Sequence, residues 1–153
     1  MPACETMAEG IEITRIFHAP RERVWEEWTV PERFADWFGG SEAEVPVSTV
    51  TMDVREGGRW RATMFAGPGR REIQWKGEYR EVVEPERLVL TITDGPDDEG
   101  SDVLIVVLTD LGDGRTEMHF QQRGGGLSPE GYERAGQGWS KFFDRMAEAL
   151  AGA

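Results

Sequence analysis

Cysteine is almost missing from this chain of 153 residues, where Cys4 stands alone. A single thiol closes no internal disulfide, so the fold must rest on its core, and the composition fits a reducing, cytoplasmic setting. Asparagine is absent, and lysine occurs only as Lys76 and Lys141. Positive charge is outweighed: 17 Lys and Arg face 29 Asp and Glu, a net of −12. That balance argues against non-specific binding to nucleic acid or anionic membrane. No apolar run approaches the roughly 18 residues of a membrane span, and Met1–Gly10 lack the basic-then-apolar build of a secretory leader. The two histidines, His18 and His119, have no Cys or His partner at ligand spacing. The acidic stretch Asp94, Asp97, Asp98, Glu99 and Asp102 lacks the calcium-loop pattern. Neither a phosphate-cradling glycine loop nor a G-x-S-x-G elbow is present. No metal, no cofactor and no catalytic set is therefore expected.

What the chain does have is aromatic bulk, with six Trp and seven Phe in a composition 39% apolar. That is too hydrophobic for disorder, and the length suits one domain with its own core. Residues 1–10 read as a flexible N-terminal arm and 11–153 as a single domain.

Ile11–His18 alternates as a strand with Ile13, Arg15 and Phe17 on one face. Pro20 and Pro31 open two short helices, with Val24, Trp25 and Trp28 on one side of the first and Phe34, Trp37 and Phe38 on the second. From about Val47 to Gln122 the period drops to two. Val50, Met52 and Val54 predict a strand, followed by Trp60–Ala62–Met64, by Ile73–Trp75–Gly77–Tyr79 and by Leu88–Leu90–Ile92. Val103–Leu108 is apolar without interruption, which predicts cover on both faces, and Thr116–Met118–Phe120 closes the series. Ser128 and Pro129 cap a last helix whose Trp139, Phe142, Phe143, Met146 and Leu150 form one stripe. Gly131, Gly136 and Gly138 predict weak or kinked first turns, at about 1 kcal/mol each. The fold class is α+β: a strand, two short helices, an antiparallel meander and a long helix over its apolar face.

Several pieces, in order, resemble a known family: Arg15–Pro20, Val24-Trp25, Trp28–Glu32, Trp37, Glu56–Trp60, Gly77–Val82, Pro85–Leu88 and Gly138-Trp139. Together they are similar to the branch of the START-like (SRPBCC) superfamily named after the activator of Hsp90 ATPase. The resemblance covers about Ile11–Ala151. It implies a helix-grip fold, a curved antiparallel sheet wrapped around the C-terminal helix, with a hydrophobic cavity in many members. Relatives include lipid carriers, polyketide cyclases and co-chaperones, and fold alone does not choose among them.

The candidate site is the space between sheet and last helix. Trp60, Met64, Trp75, Tyr79, Leu90, Met118 and Phe120 are expected to point inward, with Trp139, Phe143 and Met146 opposite and Trp37 and Phe38 at the mouth. Apolar walls with a few polar tips suit a hydrophobic small molecule. The competing reading of those aromatics is a filled core. Gly77, Gly136 and Gly138 either leave room for a ligand or allow close backbone approach. Arg15 is a candidate carboxylate clamp, or else it reaches solvent or pairs with an acid. A cyclase- or aromatase-like enzyme needs an inward acid–base group, for which Arg15, Tyr79 and Glu81 are the candidates. A co-chaperone for Hsp90 needs an exposed partner surface. A homodimer through a sheet edge or an exposed Phe65 is left open.

Overall fold

The computed structural model describes residues 10–40, 42–94, 102–124 and 127–151. Residues 1–9 of the expected arm, with Cys4, and most of the acidic stretch after Asp94 lie outside them, whereas Gly10, expected in the arm, already pairs with Arg123 in the first strand. Strand β1 (Gly10–Phe17) leads into α1 (Arg21–Thr29) and α2 (Pro31–Trp37). Two short strands follow, β2 (Ala43–Glu44) and β3 (Thr51–Met52), with a 3₁₀ turn at Val47–Thr49 between them. The meander then runs β4 (Arg59–Ala66), β5 (Arg71–Val83), β6 (Arg87–Ile92), β7 (Asp102–Gly112) and β8 (Arg115–Arg123). Helix α3 (Pro129–Ala151) closes the chain.

The eight strands form one curved sheet in the order β1-β8-β7-β6-β5-β4-β2, with β3 also on β4. Every pairing is antiparallel. Helix α3 packs against β1 and α2. Its buried side chains are Tyr132, Trp139, Phe143, Met146 and Leu150, a stripe that begins one heptad before Trp139. They meet the inward row of the sheet, including Trp60, Leu88, Leu104, Met118 and Phe120. Each such side chain contributes about 1.5–3 kcal/mol when fully buried. The α+β helix-grip architecture expected from the sequence is what forms.

Four expectations need correction. The strand expected at Val50–Val54 shrinks to Thr51–Met52, because the chain turns just after Asp53, where the Arg55 N–H bonds to the Asp53 carbonyl and the Gly58 N–H to the Arg55 carbonyl. Strand β7 is fully buried on one face only: Leu104, Val106 and Leu108 are inside, while Val103, Ile105 and Val107 are half-buried. Their outer partners on β8 are Arg123, Gln121 and His119, whose long side chains stand in for a second layer. Helix α3 is continuous from Pro129 despite its three glycines. The Ser128 hydroxyl accepts the Gly131 N–H at 3.0 Å, and buried Tyr132 anchors the first turn, so capping and packing outweigh propensity. Finally, a bulge between Tyr79 and Glu81 shifts β5 against β6. Val82 therefore pairs with Leu88 and faces in, whereas Glu81 faces out and holds Arg87 at 2.9 Å. Glu81 is not the inward acid the alternation suggested.

Candidate functional site

The space gripped by sheet and helix holds a continuous cluster of rings. Trp28 lies 4.8 Å from Trp37, and Phe120 lies 4.7 Å from Trp139. Phe143 touches both Trp139, at 5.7 Å, and Phe120, at 5.1 Å. These spacings are those of favourable stacked and edge-to-face pairs. Neither Phe38 nor Trp37 sits at a mouth, as the sequence suggested: Phe38 is buried in this cluster, and Trp37 is fully buried. Its indole N–H donates to the Glu27 carbonyl at 2.7 Å.

The other buried indoles of the cluster are also tied down. Trp28 donates to the Met118 sulfur at 3.4 Å, and Trp139 to the Gln122 side chain at 2.8 Å. Gln122 in turn donates to Asp102 at 2.8 Å, a polar link buried at the end of β7 and β8. Trp60 donates to the Thr91 carbonyl at 2.9 Å. That bond crosses directly over Gly77, which pairs with Trp60 in the ladder. A Cβ on Gly77 would stand 1.7 Å from the Thr91 oxygen and 2.4 Å from the Trp60 indole nitrogen. Gly77 thus permits close approach and opens no ligand space. Gly136 opens no ligand space either, but a Cβ there would make only ordinary contact with Ile11, at 3.6 Å.

Two inward groups on β5 break this pattern. The Trp75 indole nitrogen and the Tyr79 hydroxyl are buried and have no hydrogen-bond partner. Burial, reinforced by Asp53, pushes the Tyr79 phenol well above its ordinary range, so it keeps its proton. Trp75 faces Phe38, whose ring is 6.2 Å away. Phe38 continues to Phe142 at 5.7 Å, and Phe142 to Trp139 at 5.4 Å.

Phe142 is also a wall of a half-open groove of about 280 Å³. The groove runs between the end of α2 and the middle of α3. Gly39, Gly40 and Glu42 form one rim, and Arg134, Gln137, Gly138 and Lys141 form the other. Gly39 and Gly40 have φ of 102° and 67°, the left-handed region that suits glycine after a helix. At Gly138 a Cβ would meet nothing within 4 Å, so this glycine keeps the groove wide.

The remaining candidates are accounted for. Arg15 pairs with Asp144 at 2.9 Å and reaches the Ser140 carbonyl, bracing β1 against α3. His119 lies on the outer face beside Glu12. Phe65 is half-covered by the Arg70 guanidinium, 5.0 Å from its ring centre. Met64, Leu90 and Met118 line the buried side of the sheet as expected. The sequence reading passed over Glu27, which is buried on α1 beside Arg33. Desolvation, partly offset by Arg33 and Arg23, raises its carboxyl from 4.5 to about 7. Its position three residues after Val24, on the helix's apolar side, was the available signal.

The family model described as activator of Hsp90 ATPase homolog 1-like protein matches residues 18–151. The chain belongs to that family. A START-like fold of this branch is typically a ligand-binding scaffold. The AHSA1 protein from Silicibacter pomeroyi superposes with a TM-score of 0.80 at 18% identity, covering 93% of this chain and 97% of that one. A protein from Chromobacterium violaceum gives 0.79 at 24% identity, with 94% and 98% covered. A third, from Nitrosomonas europaea, gives 0.79 at 20% identity, with 95% and 96% covered. Likeness at these identities speaks for the Hsp90-activator-like fold alone. No curated protein matches the chain. Among the described residues, no helix is long and apolar enough to cross a membrane, and no group of three or more His, Cys, Asp or Glu is placed to hold a metal.

Proposed function

We propose that this protein binds a hydrophobic, ring-bearing small molecule at the groove end of its interior. The ligand lies against Phe142 in the groove, and it reaches Trp75 where the buried Phe38 ring between them swings aside. The observation that carries this reading is the buried, unpartnered Trp75 N–H beside an aromatic path that ends in an open groove. An unpaired buried donor costs about 1–3 kcal/mol, and a ligand acceptor would recover it. Tyr79 lies beyond the closed Trp60 slot over Gly77 and is not part of this site.

Acid–base catalysis in this space finds little support. Glu81 faces outward, Arg15 is held by Asp144, and Tyr79 keeps its proton. A co-chaperone role is favoured by no particular surface feature.

The test is a thermal-shift panel of hydrophobic ring compounds. A binder raises the melting temperature in proportion to the logarithm of its concentration. We expect saturable stabilisation that Trp75→Phe weakens. A flat response across lipids, sterols and aromatic polyketide-like compounds contradicts the proposal.

A further inference from the structure

The groove has a polarity of its own. The chain carries a net charge of −12, yet two of its cations, Arg134 and Lys141, stand on one wall of this groove. They share one face of α3 with Gly138, at i, i+4 and i+7. Seven residues of helix separate them by about 10 Å. Lys141 is already matched, its ammonium 3.3 Å from the Glu42 carboxylate across the groove. Arg134 has no hydrogen bond or ion pair among the described residues. The groove therefore offers an apolar wall at Phe142, open space at Gly138 and one uncommitted guanidinium at the outer end. A planar guanidinium suits the two oxygens of a carboxylate or sulfonate.

We infer that the groove takes a lipophilic anion, with its rings against Phe142 and its acid group on Arg134. This rests on the binding site proposed above and adds the charge of the ligand. Lys141 acts as the weaker, Glu42-masked contact further along. Binding falls as salt rises, because Arg134 is solvent-exposed.

Two probes with the same ring system separate the claims. 1-Anilinonaphthalene-8-sulfonate carries an acid group, and N-phenyl-1-naphthylamine lacks it. Fluorescence titration of the full chain is expected to show both binding. Arg134→Gln should raise the dissociation constant of the sulfonate about fivefold and move that of the neutral probe less than twofold. Glu42→Gln, which frees Lys141, should tighten the sulfonate alone. Gly138→Leu fills the groove without a backbone clash and replaces a helix glycine, so it should fold at least as well while losing both probes. If Arg134→Gln weakens both probes alike or neither, the acid-binding inference is overturned and the groove reading survives. If Gly138→Leu still binds both probes, or the parent chain binds neither, the groove itself is wrong.

Discussion

Trp60 and Trp75 stand on adjacent strands and point to the same side of the sheet, yet their surroundings differ. The Trp60 indole reaches across Gly77 to the Thr91 carbonyl, in a slot with no space for one more carbon. Trp75 lies two residues before Gly77, and its buried N–H reaches no acceptor. Trp60, Trp37 and Trp139 are each held by ring packing and an indole hydrogen bond, and Phe143 packs on Trp37 and Trp139. Around Trp75, Phe38 and Phe142 the rings touch, but polar groups are left over and a groove opens beside them. One part of the interior is over-determined and serves stability. The other is under-determined, and that is where a ligand adds most.

The largest contrast should come from neighbouring residues of α3. Phe143 is fully buried and Phe142 only partly so. Phe143→Ala should cost about 3–5 kcal/mol in denaturant unfolding, and Phe142→Ala clearly less, about 1–2 kcal/mol. Equal costs would erase the distinction between the two regions. Gly77→Ala should cost about 3 kcal/mol, the upper range for overpacking, because neither the Thr91 backbone nor the Trp60 ring can step aside. A neutral result there would show that the slot is loose.

Glu27 tests the tight region through pH. Its carboxyl is raised from 4.5 to about 7, so the folded state holds the proton more strongly than the unfolded chain. The contribution is present in full below about pH 4.5 and is lost as pH rises through 7. Melting at pH 5 and pH 8 should show a fall in the parent chain that Glu27→Gln reduces. An unchanged fall would place the titration elsewhere. The smallest expected effect sharpens the opening comparison. Trp60→Phe strands the Thr91 carbonyl and should cost about 1–3 kcal/mol beyond lost packing. Trp75→Phe relieves an unpaired buried donor, which offsets the packing lost with the smaller ring, so the net stability should change by less than about 1 kcal/mol.

Much of the architecture is readable from residue spacing. The α3 stripe, the Ser128 cap and the alternation of β4, β5 and β8 follow from periods of 3.6 and 2. The site is less readable, for local physical reasons. The bulge that turns Glu81 outward leaves no mark in the alternation, since Val82 and Val83 suit either face. Gly77 offered two readings until the Trp60 side chain was located across the ladder. The groove joins Gly39 and Gly40 to Gly138, and no pattern links segments so distant in the chain. Glu27 stands on the apolar side of α1, but how strongly it holds a proton depends on its burial and on where Arg33, Arg23 and Asp36 lie.

The most direct test follows the indole N–H signals in two-dimensional ¹⁵N–¹H NMR while N-phenyl-1-naphthylamine is titrated in. The account predicts that the Trp75 indole shifts first and furthest, while those of Trp60 and Trp37 stay nearly fixed. An unmoved Trp75, or equal movement of all the indoles, would contradict it.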